Sequence, residues 1–154
     1  MESIKKITLP KGWVIDKIEN GEIILKEDNK PIIKWNKEKD GVEVKADGYH
    51  FIVASMPTSV TSKWNDAKIL CEMLGGYLPS IDELKVMVKY IKEINQCFRD
   101  NDRLVCLLDT YCYYWSSSGS EYSSSYARSV YTGDGYVRND DKAYYYCVRA
   151  FLNV

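Results

Sequence analysis

The sequence predicts a mixed α+β domain, and three observations carry that expectation. Two stretches, Trp64 to Leu74 and Leu84 to Ile94, place apolar residues three and four positions apart, the spacing of helices with one buried face. Short runs of Val, Ile, Tyr and Phe before them are separated by Asn20-Gly21, Asp40-Gly41 and Asp47-Gly48, dipeptides that tolerate positive φ in tight hairpin turns. After them the chain becomes rich in Ser and Tyr, with short β-type segments.

Taken in order, Val14-Ile15 and Ile23-Ile24-Leu25 flank Asn20-Gly21 and predict a hairpin over residues 13 to 26. Val42-Glu43-Val44 and Tyr49 to Val53 read as further strands. Residues 1 to 55 are therefore expected to be a lysine-rich β region packing on a main domain of residues 56 to 154, its Lys and Glu solvated or protecting strand edges. Thr61-Ser62 is placed to cap a helix carrying Trp64, Ala67, Leu70, Cys71 and Leu74, with Gly75-Gly76 as its left-handed stop. Ser80 and Glu83 have the spacing of a capping box, opening a second helix whose stripe is Leu84, Met87, Val88, Ile91 and Ile94 and whose end falls near Asn95. Both stripes read as core. A loop over residues 98 to 109 follows, then strands at Tyr113 to Trp115, Ala127 to Tyr131 and Tyr136 to Arg138, a turn at Asp134-Gly135, and a closing strand from Tyr144 to Phe151. Asn139-Asp140-Asp141 reads as a solvated turn.

The 154 residues carry a formal net charge of −1, which gives no broad attraction to phosphate and makes nucleic acid a poor partner. No apolar run approaches the roughly 20 residues that span a bilayer, and the opening residues lack the apolar core of a signal peptide, so the expectation is a cytoplasmic protein or one carried on a phage particle. Five cysteines without a Cys-x-x-Cys pair, and one distant histidine, His50, argue against zinc; free thiols in a reducing compartment are expected. Trp64-Asn65-Asp66 opens a helix and reads as packing and capping, not as calcium ligands. No serine or cysteine has a base beside it, so neither catalytic residues nor a cofactor is expected.

Usage changes sharply in the last forty residues. Positive charge is almost all lysine before Arg99, whereas Arg128, Arg138 and Arg149 accompany the single Lys142 in the tail, where most of the tyrosines also lie. Tyr, Ser, Gly, Asn and Asp with a few Arg is the composition of a recognition surface, in which Tyr supplies rigid contact area and the small polar residues adaptable hydrogen bonds.

The order Trp64-x-x-Ala67-x-x-x-Cys71, Leu74-Gly-Gly-Tyr-Leu-Pro-Ser-Ile-Asp-Glu-Leu84, Tyr114-Trp-Ser-Ser-Ser, Gly135-x-Val137 and Tyr146-x-Val-Arg149 resembles bacterial and phage domains with a C-type lectin fold. That group includes the C-terminal domains of Fibrobacter- and Legionella-type collagen-like proteins and the variable proteins of diversity-generating retroelements. The resemblance covers about residues 60 to 151. It implies two helices with a short-stranded antiparallel sheet, preceded by the N-terminal β-hairpin region. It further implies a non-enzymatic binding protein whose tail is rewritten at adenine-containing codons, a process that never yields Lys, Glu, Gln, Met or Trp.

From Ser116 to Arg149 only Glu121 and Lys142 fall outside the reachable set, so these two join Tyr122, Ala127, Val130, Gly135, Val137, Val148 and Arg149 as expected scaffold. The expected ligand-binding residues are Ser123, Ser125, Tyr126, Arg128, Ser129, Tyr131, Asp134, Tyr136, Arg138, Asn139, Asp140, Asp141, Tyr144 and Tyr145, with Tyr126, Tyr131 and Tyr136 as central anchors. The implied partner is a protein or glycan target on a cell surface, bound by a monomer or a homo-oligomer with no membrane insertion. A fimbrial or adhesin-type surface module is one alternative. An enzyme related to the formylglycine-generating enzymes, similar in fold to the group, is the other.

Overall fold

The computed structural model describes residues 8 to 154 and divides them into two units, one ending at Lys30 and one spanning Pro31–Val154. The first is a single antiparallel hairpin of β1 (Trp13–Glu19) and β2 (Glu22–Glu27). Asn20 and Gly21 both have positive φ (50° and 78°), the conformation expected of that dipeptide in a two-residue turn. The register slips by one residue at Asp16, since Ile15 pairs with Leu25 and Lys17 with Ile24. That extra residue resets the alternation, so Trp13, Ile15, Ile18, Ile23 and Leu25 share one face.

The larger unit contains two sheets and three α-helices. In the first sheet β3 (Ile32–Asn36), β4 (Gly41–Ala46) and β5 (Tyr49–Ala54) pair antiparallel in sequence, and β11 (Phe151–Leu152) adds to the far side of β5. Asp47 and Gly48, at φ 53° and 85°, make the β4–β5 turn. Residues 31 to 55 thus belong to the larger unit, tied in by the chain's own end. Gly41 lies so close to Val53 that a Cβ there would sit 2.5 Å from its carbonyl oxygen.

The second sheet has the order β6 (Thr61–Ser62), β10 (Tyr146–Cys147), β7 (Tyr113–Gly119), β8 (Tyr126–Tyr131) and β9 (Val137–Asp141). Helix α1 (Trp64–Met73) is capped at Lys63 without a side-chain bond, because Thr61-Ser62 is used as a strand against Tyr146 and Cys147. Gly75, at φ 78°, ends it as expected. Helix α2 (Ile81–Lys89) carries the capping box: Ser80 Oγ accepts from the Glu83 amide and Glu83 Oε1 from the Ser80 amide, each at 3.1 Å.

The expected second helix is two helices. The chain leaves helical geometry at Tyr90, whose hydroxyl donates to Asp47 at 3.2 Å, and continues as α3 (Ile91–Asp100). A 3-10 turn, Leu104–Cys106, lies in the loop after it, and the buried Asn95 holds that loop by exchanging two hydrogen bonds with the Leu108 backbone, at 2.7 and 3.0 Å. Asn139-Asp140-Asp141 is part of β9, not a turn, and the closing segment is split into β10 and β11.

Apolar side chains gather in two clusters. One joins Val42, Val44, Phe51 and Val53 to Leu84, Met87, Ile94, Phe98, Tyr114 and Val130. The other joins Trp64, Ala67 and Cys71 to Trp115, Ala127 and Val148. Two tryptophans stitch the second cluster: Trp64 Nε1 donates to the Ser116 carbonyl at 2.7 Å and Trp115 Nε1 to the Ser62 carbonyl at 2.9 Å. Cys112 and Cys147 form a disulfide, which corrects the expectation of five free thiols; Cys71, Cys97 and Cys106 are free. No helix among the described residues is long and apolar enough to cross a membrane.

Candidate ligand-binding site

The turn between β8 and β9 decides which tail residues share a surface. It returns through Gly135 at φ 75°, with Asp134 Oδ1 accepting from the Tyr136 amide at 2.9 Å, and pairs Val130 with Val137, Ser129 with Arg138, Arg128 with Asn139, Ala127 with Asp140 and Tyr126 with Asp141. Directly paired residues point the same way and neighbours along a strand point oppositely. The expected binding residues therefore separate: Ser129, Tyr131, Arg138 and Asp140 lie on one side of the ladder, and Tyr126, Arg128, Asn139 and Asp141 on the other.

On the first side the rings form a row. Tyr131 pairs across strands with Tyr113, centroids 4.7 Å apart; Tyr113 stacks on Tyr146 at 4.9 Å; Tyr146 meets Trp115 at 4.6 Å and Tyr144 at 5.8 Å. The Arg138 guanidinium carbon lies 5.4 Å from the Tyr113 ring centre, and Nη2 is 3.8 Å from Asp134. Asp140 accepts from Ser129 Oγ at 2.8 Å. Burial, and then the charge of Asp140, raise the pKa of the Tyr146 phenol above its usual value. Along the row exposure rises from Trp115, wholly buried on the same side of β7 as Tyr113, through the half-buried Tyr113, Tyr131 and Tyr146 to the exposed Tyr144. Its rings are held in place by one another.

The second side carries a concavity of about 180 Å³ lined by Glu121, Tyr122, Arg128 and Asn139. Glu121 and Tyr122, on the loop between β7 and β8, were expected to be scaffold; both are exposed, Tyr122 at 85%, and both line this site. Ser129 corrects in the opposite direction. It is 0% exposed, so it holds Asp140 in place and cannot itself meet a ligand.

The other expected residues are spread along the rim. Ser123 Oγ accepts from the Ser125 amide at 3.1 Å and shapes the β7–β8 loop. Tyr136 is 68% exposed in the turn, and Tyr126 is exposed on the concave side; of the three expected anchors only Tyr131 belongs to the ring row. Asp141 Oδ1 accepts from the Ala143 amide at 2.9 Å, and Tyr145 is exposed with Lys63 5.8 Å from its ring centre.

Of the expected scaffold, Ala127, Val130, Val148 and Arg149 are buried. Lys142 is half-buried, donating to the Ser124 carbonyl and lying 4.4 Å from the Trp64 ring centre. Sequence reasoning missed Tyr113 and Tyr146 as members of the row. Tyr113 alternates onto the same side of β7 as the buried Trp115, so spacing alone carried no sign of its partial exposure.

Chemistry at the remaining cysteines is restrained by burial. The Cys71 thiol is pushed up to about 12 and that of Cys97 is raised, both by desolvation first. Among the described residues one group of metal-ligand type comes together, Asp109 with Cys112 and Cys147, and its two sulfurs are already bonded to each other. No protein-family model matches the chain, and no curated protein matches it significantly.

Proposed function

We propose that the protein is a non-enzymatic binding protein on a C-type lectin-type scaffold, of the kind diversified by retroelements, and that it recognises a protein or glycan on a cell surface. The row Tyr131, Tyr113, Tyr146 and Tyr144 with Arg138 at its flank is the observation that carries this reading. Its rings are fixed by one another, so little side-chain freedom is lost when a partner lands. Aromatic and Arg side chains on a rigid backing are also the residue types that dominate binding energy at interfaces. Against catalysis stand the raised thiol pKa values of Cys71 and Cys97 and the position of His50, which faces Glu43 in the other sheet.

The disulfide between Cys112 and Cys147 favours a second reading, an exported adhesin-type module, because such bonds persist in oxidising surroundings. A downstream repeat in the coding DNA that differs from the tail codons only at adenines separates the two: its presence supports the diversified protein, its absence the adhesin. The binding claim is tested by probing arrayed glycans and intact bacterial cells with the protein and with Tyr131→Ala/Tyr144→Ala. Any target bound by the native protein and equally by the double variant would remove the row from the site.

A further inference from the structure

We propose that the concavity between the β7–β8 loop and the β8–β9 ladder is a separate site for the terminal residue of an acidic glycan, a single-ring sugar acid whose carboxylate sits on Arg128. This goes beyond the aromatic row, which lies on the other side of the same strands.

The assignment starts from unspent polar groups. Arg103 faces Asp40 at 3.3 Å, Arg138 faces Asp134, Arg149 is consumed by backbone carbonyls, and Arg99, on α3, does not line the hollow. Among the described residues Arg128 makes no ion pair, although Glu121 lines the same hollow, and the side chains of Glu121 and Asn139 make no hydrogen bond. A guanidinium and a carboxylate thus face one space without closing on each other, and a ligand with an anionic group and separate hydroxyls completes both.

The pieces match that ligand in detail. Arg128 and Asn139 are directly paired across strands, so their side chains stand together on a fixed backbone. A guanidinium fork takes a carboxylate through two parallel bonds, which a lysine could not do. The Glu121 carboxylate can accept from a sugar hydroxyl, and the Asn139 amide can both accept and donate, the pattern that neighbouring hydroxyls require. Tyr122 offers a ring at the mouth.

Size sets the rest. A hollow of about 180 Å³ is below the roughly 300 Å³ at which sites for drug-sized ligands begin. One ring fits, and the open mouth lets a glycan continue into solvent.

The test is an amide NMR titration of the full chain with methyl glucuronide, with methyl glucoside as the uncharged counterpart and serine as a zwitterion that carries a carboxylate without a sugar ring. Shifts confined to residues 120 to 128 and 138 to 140, at least about 10-fold stronger affinity for the acid than for the glucoside, and loss of that preference in Arg128→Gln support the site. Equal binding of acid and glucoside, no shift with any probe, or a preference for serine overturns it. Asn139→Ala, at an exposed position, must weaken the acid, so the question is answered even if Arg128→Gln disturbs the strand. Tyr144→Ala must leave these shifts unchanged, which separates failure of this site from failure of the aromatic row.

Discussion

Arg149 donates from Nη1 to the carbonyl of Ala54 at 2.9 Å, across 95 residues of sequence, and so fastens the end of the tail to the end of β5. The side chain is 1% exposed, reaches the Leu107 carbonyl at 3.4 Å with Nη2, and lies 5.7 Å from the Phe98 ring centre. Nε has no partner, and burial lowers the guanidinium's pKa below its usual value. A fork is needed because two carbonyls from different segments converge on one point. Arg149→Met should cost about 2 kcal/mol by leaving both carbonyls unpaired. Arg149→Lys should cost at least as much, since it keeps a buried charge with poorer hydrogen bonding. Urea midpoints of the two variants check this, and a lysine variant as stable as the native protein would contradict it.

The disulfide closes the tail as a loop, Cys112 at the foot of β7 to Cys147 in β10, 35 residues apart. Thr132 reinforces that foot, its hydroxyl accepting from the Cys112 amide at 2.8 Å and donating to the Cys112 carbonyl at 3.1 Å. Closing a loop of this length removes chain entropy from the unfolded state worth about 4 kcal/mol. Cys112→Ser/Cys147→Ser should therefore lose most of that amount in denaturant unfolding. Thiol titration of the unreduced, denatured protein should find the three free cysteines and not five.

Local chemistry was legible, and what depended on distant partners was not. Asn20-Gly21, Asp47-Gly48, Gly75 and the Ser80–Glu83 box each act within a few residues, so their residue types announce them. The break at Tyr90 coincides with hydrogen bonds from both Lys89 and Tyr90 to the distant Asp47, and the helical stripe continues unbroken across it. Strand β3 was missed because Ile32 to Asn36 alternates weakly and finds its place only against β4. The tail was recognisable as a surface by composition, but the division of Arg128 and Ser129 between two sides follows from the β8–β9 register.

That division has a direct consequence for which positions tolerate change. Ser129 is fully buried with its hydroxyl on Asp140, while Arg128 and Asn139 face the open hollow. Ser129→Tyr should destabilise the protein by about 2 kcal/mol or more through overpacking and loss of the Asp140 contact. Arg128→Tyr and Asn139→Tyr should stay within about 0.5 kcal/mol of the native protein. Thermal unfolding of the three variants decides it, and equal tolerance at all three positions would mean that β8 pairs in a different register.

Acid stability should report on Glu43, whose carboxylate accepts from Asn36 Nδ2 at 3.0 Å, faces His50 Nε2 at 3.1 Å and lies 3.9 Å from Lys34 Nζ. The Asn36 hydrogen bond first, and then His50, hold its pKa below the ordinary 4.5 despite partial burial. A carboxyl depressed in the folded state contributes stability that is complete above its unfolded pKa and disappears as the pH falls through the folded one. Asp47 is depressed by its bond to Lys89 and adds to the loss in the same acid range. The urea midpoint of the native protein should therefore fall between about pH 5 and pH 3. Glu43→Gln should be less stable at neutral pH yet lose less over that interval, the residual slope coming from Asp47 and other carboxylates. Parallel curves for the two proteins would show that Glu43 is no better held in the folded chain than in the unfolded one.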